Sequence, residues 1–283
     1  MLDPTTRLID GVIVPRFLYG TAWKEDRTQS LVELALEMGF RGIDTANQRR
    51  HYHEAAVGQA IAAAITRGLV KREDLFLQTK FTFRNGQDHR LPYDPAAPIS
   101  AQVEQSFASS LKHLGVERLD SLLLHGPSRR SGLGADDWAA WRAMEHLHDR
   151  GDVRWLGISN VGLDQLQQLC EQAKVPPTFV QNRCYASSGW DRTVRGFCAT
   201  HQIIYQGFSL LTANRELQTH PEIGRIASRH QCTPSQTVFK FALQAGMMPL
   251  TGTSSREHMR EDLAVASVEL TPDEIEVIER CLG

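Results

Sequence analysis

Short apolar runs bounded by turn residues recur along the chain: FLYG (17–20), RGID (41–44), LFLQTK (75–80), LDSLLLH (119–125), VRWLGIS (153–159), TFVQ (178–181), QIIYQGF (202–208) and MMPLTG (247–252). None alternates strictly between apolar and polar positions, the pattern expected of parallel strands covered by helices. The segments between them space their apolar residues helically, as in Val57, Ile61 and Ile65, or Val103, Phe107, Leu111 and Leu114, so each predicts an amphipathic helix. Eight strands alternating with helices predict an α/β fold closed into a (β/α)8 TIM barrel rather than an open doubly wound sheet. No strand is followed by G-x-G-x-x-G, which weakens the open-sheet alternative further. The opening RLIDGVIVP predicts an N-terminal β-hairpin with Asp10–Gly11 at its turn, placed over the bottom of the barrel.

A chain of 283 residues can bury a large core, and one barrel domain over 1–283 accounts for all of it. Lys and Arg number 31 against 33 Asp and Glu, a balance that argues against nucleic-acid or membrane-surface partners and for a small, modestly charged ligand. Cys170, Cys184, Cys198, Cys232 and Cys281 are odd in number and form no C-x-x-C pair, so they read as free thiols of a reducing compartment. The N-terminal MLDPTTRLIDG lacks the basic and apolar regions of a secretory leader, and no apolar stretch is long enough to span a bilayer, so a cytoplasmic location is expected. Every predicted helix can be satisfied within one barrel, which leaves a monomer and a small homo-oligomer both open.

Four ionisable residues lie at or just past strand ends: Asp44, Tyr52, Lys80 and His125. In a barrel such ends converge on one mouth. A phenol ionises near pH 10 unless a neighbouring ammonium favours its anion. Lys80 is placed to supply that charge, Asp44 to keep Lys80 protonated, and His125 to hydrogen-bond the reacting oxygen. A proton donor with no activated nucleophile suits carbonyl reduction, in which a hydride reaches carbon and a proton reaches oxygen. Two long loops, 81–100 and 126–137, follow barrel strands and are expected to carry substrate contacts.

The ordered stretches GFRGIDTA, HEAAVGQAI, LQTK, LDSLLLHGP, LGISN, FVQN and GTSSREHMREDL resemble the aldo-keto reductases, barrels that use a nicotinamide cofactor, from about residue 7 to the end. The resemblance implies Asp44, Tyr52, Lys80 and His125 as a catalytic tetrad. It implies that Ser159, Asn160 and Gln181 hold the nicotinamide carboxamide and that the Phe208 ring stacks on the nicotinamide. Gly20, Thr21, Asp44, Ser209 and Leu211 are implied along the same cofactor, with Gly252, Thr253, Ser254, His258, Glu261 and Asp262 toward its adenosine end. Trp23, Tyr52 and His125 are implied at the substrate, a small carbonyl compound, and no metal is implied.

Three departures from the family pattern bear on function. The tyrosine usually lies five residues after the aspartate and three before the helix-opening glutamate, whereas Tyr52 is eight after Asp44 and two before Glu54, so His51 takes the place counted back from the glutamate. The acid role is assigned to Tyr52 because a longer loop can bulge to restore its position. The family's PKS motif, whose lysine and a later arginine grip the 2'-phosphate of NADPH, aligns with TGT and puts Gly252 and His258 at those positions. With both fixed charges absent, NADP is favoured only slightly and NAD is the alternative, unless Arg256 or Arg260 compensates. Finally, ELTPDEIEVIERCLG reads as a last helix without the C-terminal loop that closes over substrate in many members, so contacts are expected from the two long loops and the segment after Phe208.

Taken singly, each candidate has an ordinary explanation: Asp44 a helix cap, Lys80 a snorkelling surface residue, His125 a satisfied core imidazole, Tyr52 a surface phenol and Trp23 a core indole. Their joint place in the motif set outweighs these. Arg49 and Arg50 read as solvated loop charges. Rival readings are a zinc hydrolase using His51 and His53, an aldolase-like Schiff base on Lys80, and a nicotinamide-binding regulatory subunit with little turnover; the same fold could also oxidise a sugar or alcohol with NAD. Paired Asp44 opposes the Schiff base by keeping Lys80 charged.

Overall fold

The computed structural model describes residues 5–282; the first four residues, part of the segment read as lacking a leader, lie outside it. All eight apolar runs form strands: β3 (Leu18–Gly20), β4 (Gly42–Asp44), β5 (Phe76–Phe81), β6 (Leu119–Leu124), β7 (Val153–Ser159), β8 (Phe179–Arg183), β9 (Ile204–Phe208) and β10 (Met248–Thr251). Each pairs in parallel with its neighbours and β10 pairs with β3, which closes the barrel. Before them β1 (Thr6–Ile9) and β2 (Val12–Pro15) form the antiparallel hairpin. Asp10 and Gly11 both take positive φ (47° and 77°), the left-handed pair that a tight hairpin turn needs.

Between consecutive barrel strands lie α1 (Thr28–Met38), α2 (Glu54–Thr66), α3 (Ile99–Leu114), α4 (Ala135–Asp149), α5 (Leu163–Gln172) and α6 (Arg192–Thr200). Two helices, α7 (Pro221–Arg229) and α8 (Pro234–Gln244), join β9 to β10 where simple alternation predicts one, because Pro221 and Pro234 each start a helix at its first position. After the last strand come α9 (Arg256–Ala264) and α10 (Pro272–Arg280), the latter capped by Thr271 and Glu274 in a capping box.

The helices bury their apolar stripes against the outside of the barrel, Val57 and Ile61 from α2 and Val103 and Phe107 from α3 among them. At Gly58 an added Cβ would run into the His113 carbonyl, so α2 and α3 meet backbone to backbone there. Inside the barrel a second cluster of Leu18, Phe76, Leu123, Phe179, Met248 and Leu250 is capped by Ile9 and Val14 of the hairpin. The hairpin is fastened to the barrel by a 2.9 Å hydrogen bond from the Trp155 indole to Asp10. The lower interior is therefore sealed and apolar, and chemistry is confined to the end where Asp44, Lys80 and Gln181 project. No helix among the described residues is long and apolar enough to cross a membrane.

Candidate active site

Asp44 ends β4, and Lys80 lies near the end of the neighbouring β5. The Lys80 ammonium, fully buried, donates to both Asp44 carboxylate oxygens at 2.7 Å and to the Thr45 carbonyl at 2.8 Å. Burial pulls the Lys80 pKa down, and Asp44 pulls against it. With the ammonium saturated by three acceptors, this lysine is held as a charge rather than freed as a nucleophile, which speaks against the Schiff-base reading.

The longer loop after Asp44 is absorbed by a turn in which the N–H groups of His51 and Tyr52 both donate to the Gln48 carbonyl, at 3.3 and 3.0 Å. One residue then faces out and the next faces in. His51 stacks on Trp23 with ring centroids 3.9 Å apart, and the Trp23 N–H donates to the His51 carbonyl. The Tyr52 ring lies 5.3 Å from the Lys80 nitrogen and meets the His125 ring edge to face at 5.9 Å. Burial, with Asp44 adding to it, pushes the Tyr52 pKa above the ordinary phenol range. This direction is opposite to the sequence expectation. The ammonium meant to favour the phenolate is neutralised at its source by Asp44, so the phenol keeps its proton.

His125, just beyond β6, places Nδ1 2.6 Å from the Thr82 hydroxyl. Burial, helped by Lys80 and His51, lowers its pKa to about 3, so the ring is neutral at ordinary pH. Thr82 carried no signal in the sequence, lying in a loop with no recognisable motif.

Asp44, Tyr52 and His125 line one cleft of about 680 Å³, and Lys80 is buried behind Asp44, outside the lining. Ser159, Asn160 and Gln181 form its floor beside His125: Asn160 donates to the His125 carbonyl at 2.8 Å and Ser159 to the Gln181 carbonyl at 2.6 Å. Phe208, Ser209 and Leu211 form one wall, and Gly20, Gly252, Thr253, His258, Glu261 and Asp262 continue it to the far end. Trp23 is 67% exposed at the rim, which settles the choice between rim and core.

Several expectations are corrected. Thr21 is buried beneath the cleft, where its hydroxyl donates to the Asp44 carbonyl at 2.9 Å, so it braces the strand end rather than lining the cavity. Ser254 is exposed and lies outside the lining. Neither long loop lines the cleft: Tyr93 ties the first to the Thr82 carbonyl at 2.8 Å, and Asp137 ties the second to the start of α4 through Ser128 and Gly134. Gln48, His51, Ala22 and Lys24 line the mouth instead. Arg256 does not reach into the cleft, because Glu37 of α1 holds its guanidinium at 3.1 Å, and Arg260 is outside the lining.

The cation that reaches the Gly252 end of the cleft is Lys24. Its ammonium donates to the Gly252 carbonyl, and a Cβ at 252 would stand 3.5 Å from that nitrogen. Burial, then Arg27, lowers its pKa to about 8. Nearby, Asp262 is buried with Oδ2 unpartnered, and burial raises its pKa to about 7. Arg183, at the end of β8, also lines the cleft, with its guanidinium 5.6 Å from the centre of the Phe208 ring. Lys24 and Arg183 escaped the sequence reading because each is a lone cation with no pattern around it.

A closed parallel barrel carrying a buried lysine–aspartate pair beneath a tyrosine and a histidine defines the class. The aldo/keto reductase family model matches residues 18–282, and the chain belongs to that family. It is 32% identical over 96% of its length to an uncharacterized oxidoreductase of Schizosaccharomyces pombe, covering 89% of that protein. It is also 32% identical over 98% of its length to an aldo-keto reductase of Mycobacterium avium, again covering 89%. Among solved structures, the silkworm aldo-keto reductase AKR2E5 complexed with NADPH superposes with a TM-score of 0.82 at 21% identity, over 97% of this chain and 86% of that one.

Proposed function

We propose that this protein reduces an aldehyde or ketone to the alcohol with a hydride from NADPH, NADH being the alternative donor, and that Tyr52 delivers the proton. The observation that carries this reading is the position of Tyr52, between the Lys80–Asp44 pair and the neutral His125 and at the floor of a dinucleotide-sized cleft.

The lining fits a nicotinamide dinucleotide. Gln181 commits its amide nitrogen to Asp44 and Gln206, which leaves its carbonyl oxygen for a carboxamide N–H. The Phe208 ring offers a face for stacking. Lys24 makes no ion pair among the described residues, so its charge is available to a phosphate, and the unpartnered Asp262 oxygen awaits a donor. The bound cofactor supplies the hydride. A phenol whose pKa is raised stays protonated until the carbonyl oxygen gains negative charge, at which point transfer becomes favourable. With its Nδ1 accepting from Thr82, His125 turns an Nε2–H toward that oxygen and orients it. Lys80 and Asp44, held as a pair, fix the field beneath the phenol.

Fluorescence titration of the purified protein with NADPH and NADH in parallel tests the reading. Saturable binding is expected for both, tighter for NADPH; binding of neither would overturn it.

A further inference from the structure

Beneath the tetrad lie three buried glutamines, Gln78 of β5, Gln181 of β8 and Gln206 of β9. A buried amide is costly unless its donors and acceptor are met, and here nearly every group is. Gln78 Nε2 donates to Asp44 Oδ1 at 2.7 Å and to Gln206 Oε1 at 2.8 Å. Gln206 Nε2 returns a bond to Gln78 Oε1 at 3.0 Å and meets the Met248 sulfur at 3.6 Å. Gln181 Nε2 donates to Asp44 Oδ1 and to Gln206 Oε1, both at 2.9 Å. Gln181 lines the cleft, and Gln78 and Gln206 do not.

The direction of every bond in this layer follows from one charge. An ionised carboxylate only accepts, so both Gln78 and Gln181 must turn nitrogen, not oxygen, toward Asp44. Gln78 then has one N–H left for Gln206 Oε1, Gln206 answers with its own nitrogen, and Gln206 Oε1 takes the second N–H of Gln181. Neither N–H of Gln181 is left over, and its Oε1 is the group presented to the cleft.

We propose that Gln78 and Gln206 are positioning residues that lock the Gln181 amide with its oxygen toward the cofactor, so that the site selects a nicotinamide carboxamide, a donor, over the carboxylate of a nicotinic-acid dinucleotide. The inference rests on the reading of Gln181 as the carboxamide partner. Asp44 alone fixes one N–H of Gln181, and the pair of glutamines fixes the other, so the layer links the element beneath the proton donor to the ring that must face the substrate.

The test compares binding of NADP+, its nicotinic-acid analogue and 2'-phospho-ADP-ribose, which lacks the ring altogether. The wild-type protein should prefer NADP+ to the acid analogue by about tenfold or more, the worth of an acceptor left facing an anion. In the Gln78→Leu/Gln206→Leu double variant, which removes both amides together and so leaves neither of the two facing an empty partner, that preference should shrink several-fold while 2'-phospho-ADP-ribose binds as before. Gln206→Met, closest in shape, should show the same trend and serves if the double variant does not fold. A preference for the acid analogue in the wild-type protein, or an unchanged ratio in a folded variant, would overturn the proposal. Failure of the wild-type protein to bind NADP+ while it binds 2'-phospho-ADP-ribose would instead remove the underlying reading of Gln181.

Discussion

His51 and Trp23 pack ring against ring at the rim with centroids 3.9 Å apart, and this contact supports Tyr52 over His51 in the proposed role of acid. An imidazole held against the rim indole is occupied there, whereas the Tyr52 ring lies 5.3 Å from the Lys80 nitrogen. Replacing Tyr52 by Phe should lower kcat by about 10²- to 10⁴-fold, the usual worth of a positioned general acid, and leave dinucleotide affinity unchanged. His51→Ala should alter KM and spare kcat. Steady-state kinetics on a panel of aldehydes and ketones would read both, and full activity in Tyr52→Phe would pass the acid role to another group.

Lys80 and Asp44 are a buried pair, and such pairs punish the loss of one partner more than the loss of both. Lys80→Met should cost about 3 to 5 kcal/mol by leaving the Asp44 carboxylate with amide donors alone. Lys80→Met/Asp44→Asn should regain part of that stability, although neither variant should turn over. Urea denaturation of the two singles and the double gives the coupling directly. Additive losses would show that the pair does not act as a unit.

The barrel was legible because its evidence is redundant: eight apolar runs and the helical spacing between them all require the same closure, and local errors do not accumulate. The doubled helix before β10 was not read, since it depends on Pro221 and Pro234 acting as helix starts rather than as loop residues. At the site, Asp44, Lys80 and His125 were found through strand ends, a feature of the chain itself. The Gln78–Gln206 layer was not. In sequence each is one polar residue inside an apolar strand, and only closure of the barrel brings residues 128 positions apart to 2.8 Å. The substrate loops misled for the opposite reason: length marked them as functional, but Tyr93 and Asp137 use that length to fold each loop on itself, through Thr82 and Ser128.

Asp262 gives a pH signature. Its pKa rises from the ordinary carboxylate value in the unfolded chain to about 7 in the fold, so between those values the folded state holds more protons. Stability therefore declines as pH rises through this window, and the full penalty is present above pH 7. Asp262→Asn, which keeps the shape and removes the charge, should raise the melting temperature at pH 8 and change it little at pH 4. Thermal melts of both proteins across this range check the sign. Equal shifts at the two pH values would mean that the buried carboxyl is not what titrates.

Lys24 should set the pH dependence of cofactor binding. Burial lowers its pKa to about 8, so the ammonium is largely intact at pH 7 and is lost as the pH climbs above 8. An anionic phosphate favours the charged form, and binding in that upper range should take up a proton. Dinucleotide affinity in the wild-type protein should therefore fall between pH 8 and about 10, the latter being the ordinary lysine range. Lys24→Met should weaken binding at pH 7 by about tenfold or more, in line with one charge-assisted hydrogen bond, and should flatten the pH profile. Comparison of NADPH with NADH locates the contact. If the loss is confined to NADPH, Lys24 meets the 2'-phosphate and stands in for the lysine that Gly252 replaces; if it is equal for both, the ammonium meets the pyrophosphate. A variant that binds both cofactors as tightly as the wild-type protein would leave the cleft without a phosphate cation at this position and turn attention to His258.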